Sequence, residues 1–250
     1  MDHQHQPNHF LNLKHPSNMP GRSFKRLKAT CFLFFLIPFL TGWHVLAQKS
    51  TTFSVTLDPA VTWFSNDRKE LETKGAELAL SYGLTLDHFF SEKYALSTGL
   101  SITAIGGNLL YDDTVLIRTA YDTVEIPQGT RMKYRLRYVS VPLGLKLKTV
   151  EIGYKTFFVD IGLKAMFRIN AKASTKDKLL NKDKIKDEIQ LFNMAYYFGA
   201  GMEYSLGEST AIVGGLYYTR SFLDITKDLN GKQPDFLNGN ILSIKIGVLF

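Results

Sequence analysis

The chain has 250 residues, 45% hydrophobic and 13% aromatic, with 30 Lys and Arg against 23 Asp and Glu. That apolar content excludes a disordered chain, and the length suffices for one large domain or two small ones. A mean hydropathy of −0.07 excludes a polytopic helical membrane protein, whose spans would each take about 20 nearly uncharged residues.

The residues before Arg22 are polar, and Met19 offers an alternative start. One uninterrupted apolar run, Cys31 to Leu40, then follows Arg22, Lys25, Arg26 and Lys28 and precedes Val45-Leu46-Ala47-Gln48. A basic stretch, a short apolar stretch and a small residue behind it make a secretory signal peptide, with cleavage expected after Ala47. The run is too short for a membrane anchor, which needs about 20 residues. Cleavage removes the only cysteine, Cys31, so the mature chain has no disulfide, thiol nucleophile or thiolate ligand. It also removes His3, His5, His9, His15 and His44, leaving His88, and lowers the net charge from +7 to +3 as five Lys/Arg and one Asp depart. The apparent basicity is therefore largely targeting signal, and no nucleic-acid partner is expected.

From Phe53 onward apolar and polar residues alternate with the period of strands that have two different faces. The first strand sets Phe53, Val55, Leu57, Val61 and Trp63 against Ser54, Thr56, Asp58, Ala60 and Thr62. The second alternates Leu78, Leu80, Tyr82, Leu84 and Leu86 with Glu77, Ala79, Ser81, Gly83, Thr85 and Asp87, and the third Tyr94, Leu96, Leu100 and Ile102 with Ala95, Ser97, Gly99, Ser101 and Thr103. Val139 to Leu147 form the fourth, opposed by Ser140, Pro142, Gly144, Lys146 and Lys148. Phe157 to Ile169 form the fifth, opposed by Asp160, Gly162, Lys164 and Arg168. The sixth runs from Phe192 to Tyr204, with Gly199, Gly201 and Glu203 on its polar face. A seventh, about Thr210 to Ile225, loses phase at Gly214-Gly215, and the eighth carries Leu242, Ile244, Ile246, Val248 and Phe250 against Ser243, Lys245 and Gly247.

Eight strands of this length match the 9 to 11 residues with which a tilted strand crosses a bilayer. Long polar connections near 65–74, 108–132, 171–190 and 226–238 alternate with short ones near 88–93, 149–155 and 205–209. The expected fold is therefore an all-β, eight-stranded antiparallel up-and-down transmembrane barrel with short periplasmic turns and longer extracellular loops. Its alternative is a secreted lipocalin-like, ligand-binding barrel with the faces reversed. Two features favour the membrane: the small Ala, Ser, Gly and Thr residues of the polar face suit a narrow lumen, and aromatics such as Trp63, Tyr94 and Tyr204 suit interfacial girdles. Pro59 and Pro142 each remove a ladder donor, and a bulge or distortion is expected at both.

The signal peptide ending Ala47-Gln48, the eight strands, the block Tyr138-Val-Ser-Val-Pro-Leu-Gly-Leu-Lys146 and the terminal Ile246-Gly-Val-Leu-Phe250 together resemble the outer membrane beta-barrel domain family of Bacteroidota, the PorT-like proteins. The resemblance covers the mature chain and divides it into residues 1–47, a signal peptide with an N-terminal extension, and 48–250, the outer-membrane barrel domain. It implies the cell outer membrane, partners in the lipid bilayer and lipopolysaccharide, and recognition of the C-terminal strand ending in Phe250 by the barrel assembly machinery. For a few members it implies an accessory role in secretion.

No chemistry is expected from the side chains. His88 falls in a periplasmic turn and is read as an ordinary polar residue; Asp112-Asp113 lacks a ligand scaffold; Gly106-Gly107-Asn108 and Asn230-Gly231-Lys232 are turns without the strand and helix of a phosphate loop. No catalytic, cofactor-binding or metal-binding residue is assigned. The charge run Ser174 to Glu188 is read as a solvated loop with a short helix through Leu179, Ile185 and Ile189, whose lysines could touch lipid phosphates. The function expected is that of a small non-enzymatic outer-membrane barrel, a structural or interaction module acting through its extracellular loops.

Overall fold

The computed structural model describes residues 51–66, 71–73, 75–111, 114–119, 122–177, 179–185, 188–227 and 236–250. The expected signal peptide, Asp112-Asp113 and Asn230-Gly231-Lys232 lie outside them. The strands are β1 (Thr51–Asn66), β2 (Leu71–Thr73), β3 (Glu77–Ser91), β4 (Tyr94–Tyr111), β5 (Val115–Arg118), β6 (Thr123–Ile126), β7 (Arg131–Lys148), β8 (Lys155–Thr175), β9 (Asn181–Lys184), β10 (Phe192–Ser205), β11 (Ala211–Ser221) and β12 (Leu237–Leu249). β1, β3, β4, β7, β8, β10, β11 and β12 pair antiparallel in that order, and β12 returns to β1 to close an eight-stranded barrel. The last residue completes the closure: Phe250 N donates to Phe53 O at 2.7 Å and Phe53 N to Phe250 O at 3.0 Å.

In the periplasmic half the large apolar side chains point away from the barrel. Leu143, Ile161, Leu216 and Ile246 are each about half exposed, and they belong to a belt that runs around every barrel strand. A belt of this extent suits hydrocarbon, not water. The small and charged residues line the interior, which overturns the lipocalin-like alternative, where the leucines would pack inside.

In the extracellular half the chemistry is inverted. β7 and β8, 18 and 21 residues long, far exceed a bilayer crossing. Along β7, Val139, Val141, Leu143 and Leu145 give way on the same outward face to Arg137, Arg135, Lys133 and Arg131, while Tyr138, Leu136, Tyr134 and Met132 turn inward and are buried. β8 reaches the same arrangement through a bulge. Tyr138 pairs with Arg168 and Arg137 with Asn170, so Ile169 is the extra residue. Below it Phe167 and Ile169 face out; above it Ala171 and Ala173 face in, and Lys172 and Ser174 face out.

The expected long loops are partly strand. β5 and β6 form a hairpin within 112–130. The charge run around 174–188 contains no α-helix among its described residues, only a 3-10 turn at Glu188, whose N donates to the Ile185 carbonyl at 3.1 Å; it folds back as β9 on β8, with Ile185 and Ile189 buried and Leu179 exposed. The prolines do not shift register either. Pairing with β12 lapses at Asp58 and Pro59 and resumes in step at Ala60, and pairing with β4 lapses at Val141 and Pro142. Thr98 Oγ1 donates to the Pro142 carbonyl at 3.0 Å within that gap.

β3 separates from β4 beyond Tyr82 and Ile102, although β4 continues along β7 to Leu110. Side chains replace the missing ladder. Ala104 N donates to Ser81 Oγ at 3.1 Å, and Thr62 Oγ1 accepts from Gly106 N at 2.9 Å and donates to Gly106 O at 2.8 Å.

Candidate functional site

The residues that decide what can pass through this barrel lie in two layers of its lumen. Eight charged side chains face the lower layer: Asp58, Asp87, Asp160 and Glu203 against Lys146, Lys148, Lys164 and Lys245. The two signs balance, as burial requires. Lys146 stands at the centre, with Nζ 2.7 Å from Asp87 Oδ2 on β3 and 2.7 Å from Glu203 Oε1 on β10. β3 and β10 are diametrically opposed in the barrel, so this one lysine bridges the lumen. Lys148 pairs with Glu203, and Ser97 Oγ donates to Asp87.

Above this group, Asp160 accepts from the hydroxyls of Tyr197 and Tyr217, each at 3.2 Å. Lys245 Nζ lies 3.8 Å from the centre of the Tyr217 ring, and Lys164 Nζ 5.5 Å from that of Tyr197. Glycines make room for both rings. A Cβ on Gly144 would come within 2.1 Å of the Tyr197 hydroxyl, and one on Gly199 within 2.3 Å of the Tyr217 ring. The remaining space among Asp58, Asp160, Lys164 and Lys245 is about 50 Å³, enough only for water.

The upper layer is an apolar cork. Phe64, Ile105, Leu109, Met132, Leu136 and Tyr138 from the barrel wall pack with Ile117, Ile126, Leu180, Ile185, Ile189 and Ile225 from the connections. Tyr134 is buried in the cork, its ring edge-on to Phe64 and its hydroxyl 2.5 Å from that of Tyr111. Burial and the neighbouring Tyr111 push its phenol well above the ordinary range, so it stays protonated as a hydrogen-bonding group.

Most sequence-stated charges meet where the alternation places them, inside. Glu77 does not: where β3 separates, it turns to the outer wall and pairs with Lys133, with Asn108 Nδ2 donating to it at 3.0 Å. Arg168 lies opposite Tyr138 at the boundary of the two layers. His88 sits at the periplasmic end of β3, Nδ1 3.0 Å from Thr51 Oγ1. Sequence reasoning missed Tyr197 and Tyr217; the one signal was Tyr196-Tyr197-Phe198, three aromatics where alternation allows two.

No curated protein matches the chain. Solved structures similar to it include Neisserial surface protein A (12% identity, 78% of this chain and 96% of that one, TM-score 0.41), Ail, the attachment invasion locus protein of Yersinia pestis (13%, 80% and 99%, 0.38), and OprG of Pseudomonas aeruginosa (11%, 80% and 95%, 0.39). Residues 46–227 match the model of the outer membrane protein beta-barrel domain. With its closed barrel, lipid-facing belt and this match over most of its length, the chain belongs to the outer membrane protein beta-barrel domain family and resides in the outer membrane.

Proposed function

We propose that the protein is a non-enzymatic interaction module: a sealed barrel that anchors an extracellular platform made by β5, β6, β9 and the projecting ends of β4, β7 and β8. The observation that carries this reading is the double closure of the lumen, by the Lys146 network below and the apolar cork above. An eight-stranded wall encloses little more than its own side chains. A hydrolase would need an acid–base pair open to substrate, and Asp87, Glu203 and Asp160 are engaged by lysines and tyrosines inside the wall.

The same proposal includes kinship with the PorT-like proteins of Bacteroidota and an accessory role in secretion or envelope function. The Tyr138 to Lys146 block supports it, because its positions carry distinct duties: Tyr138 is buried in the cork, Leu143 and Leu145 face lipid, and Lys146 bridges the lumen. Residues 1–47 act as the export signal, lipopolysaccharide surrounds the extracellular rim, and the assembly machinery reads the strand ending in Phe250.

Reconstituted in planar bilayers, the purified barrel is expected to show no steady conductance and no turnover of phospholipid or peptide substrates. A stable open level would sink the sealed reading; turnover would sink the non-enzymatic one.

A further inference from the structure

The outer wall carries a row of cations. Arg135 on β7 pairs in register with Lys172 on β8, and Lys172 with Lys184 on β9, so three positive side chains stand abreast on adjacent strands. Like charges directly opposite one another destabilise a sheet. Arg137 is the next outward residue on β7. Of the nearby carboxylates, Glu77 is within electrostatic reach of Arg135 but pairs with Lys133 and accepts from Asn108, and Asp183 accepts from the Asn181 backbone N–H at 2.9 Å. Among the described residues, no ion pair within 4 Å joins Arg135, Arg137, Lys172 or Lys184 to an acid.

Arg135, Arg137 and Lys172 border a groove of about 420 Å³, whose lining also includes Lys182 and the carboxylate of Glu77. It opens where β3 leaves β4, and its opposite wall is Leu78, Leu80, Ala104 and Gly106. Leu78 stands 88% exposed. Val139, two residues below Arg137 and about 7 Å along the strand, is at the top of the lipid-facing belt. The groove is thus apolar on one side, cationic on the other, and level with the membrane surface.

We propose that this groove holds a phosphorylated glycolipid of the outer leaflet, with its phosphate between Arg135, Arg137 and Lys172 and its apolar part against Leu78 and Leu80. Guanidinium and ammonium groups supply charge-assisted hydrogen bonds to phosphate oxygens, and the phosphate relieves the repulsion along the row. The assignment deepens the interaction-module reading and rests on it for the side of the membrane that the groove faces.

The test is native mass spectrometry of the detergent-purified full barrel titrated with bis-phosphorylated lipid A, with dephosphorylated lipid A and excess inorganic phosphate as separate arms. The wild-type barrel is expected to favour the phosphorylated lipid by about tenfold or more, and R135Q/R137Q/K172Q to lose that preference, as removal of several charge-assisted bonds requires. Lys172→Ser alone should lose part of it, and Lys93→Gln, a cation lost at the periplasmic end, none. Equal binding of both lipids, or an unaffected triple variant, overturns the site. Displacement of the lipid by inorganic phosphate overturns the commitment to a lipid. Heat-modifiable migration, measured on every variant, reports separately on the barrel: its loss in the wild type would count against the membrane reading, and its retention assigns any binding loss to the groove.

Discussion

Lys146 on β7 and Asp87 on β3 meet at 2.7 Å although β4 lies between their strands. The contact exists only once the sheet has curled, so it belongs to the closed barrel and not to any hairpin within it. Removing one partner from such a buried pair typically costs about 3 to 5 kcal/mol, because the other charges remain unpaired. Lys146→Met should therefore destabilise the barrel strongly, and the combined change Lys146→Met, Asp87→Asn, Glu203→Gln less so. Urea titration of detergent-folded protein measures both; an equal loss in the two would refute the bridging role.

The two faces of β8 should respond differently to substitution. Ile161 faces lipid, and Arg there costs about 2 to 4 kcal/mol at mid-bilayer. Gly162 faces the lumen, where even a Cβ would meet the Leu143 carbonyl at 2.4 Å and the Gly144 Cα at 2.5 Å. Gly162→Ala is expected to overpack the wall and cost about 1 to 3 kcal/mol. The first variant should fail at membrane assembly and the second should assemble with a lower melting point, as read by heat-dependent gel migration.

Phe250 contributes two backbone bonds to the closing seam, and its ring is exposed on the lipid side. Phe250→Ala keeps the bonds and removes the ring; deletion of Phe250 removes both. If the ring is what the assembly machinery recognises, both changes lower the assembled fraction in outer membranes alike, while the refolding yield in detergent falls only on deletion. Pulse-chase of heat-modifiable protein in cells, set beside refolding in vitro, separates the two contributions.

The cork should melt independently of the wall beneath it. Leu136 is fully buried among Phe64, Met132 and Ile185 and their neighbours. Leu136→Ala leaves a cavity worth about 2 to 5 kcal/mol. The expected result is faster proteolytic nicking of the extracellular connections with the membrane-embedded barrel still protected. Loss of barrel protection at the same rate would show the two layers to be one cooperative unit.

The barrel was legible because hydrocarbon on one side and a narrow lumen on the other impose period 2 on every crossing strand. The cork was not, for a related reason. Arg131 to Tyr138 alternates as strictly as Val139 to Lys148, but its polar residues occupy the outward face, and a charge-rich stretch beside a turn reads as loop. The luminal charges were legible as a set and not as pairs: Lys146 lies opposite Asp160 in register, yet it bonds to Asp87 and Glu203, which only closure brings near. The groove needs the separation of β3 from β4 and the β8 bulge, and neither has a sequence signature of its own.

That bulge sets a parity. On β8 the odd-numbered positions up to Ile169 look outward and the odd-numbered positions after it look inward. Loss of Ile169 alone would remove the bulge and leave Ala171 and Ala173 inward and Lys172 and Ser174 outward, because Arg168 and Asn170 already pair with successive residues of β7; loss of a second residue would drive Lys172 and Ser174 into the cork. The bulge is therefore where this strand can shorten by a single residue and keep its faces.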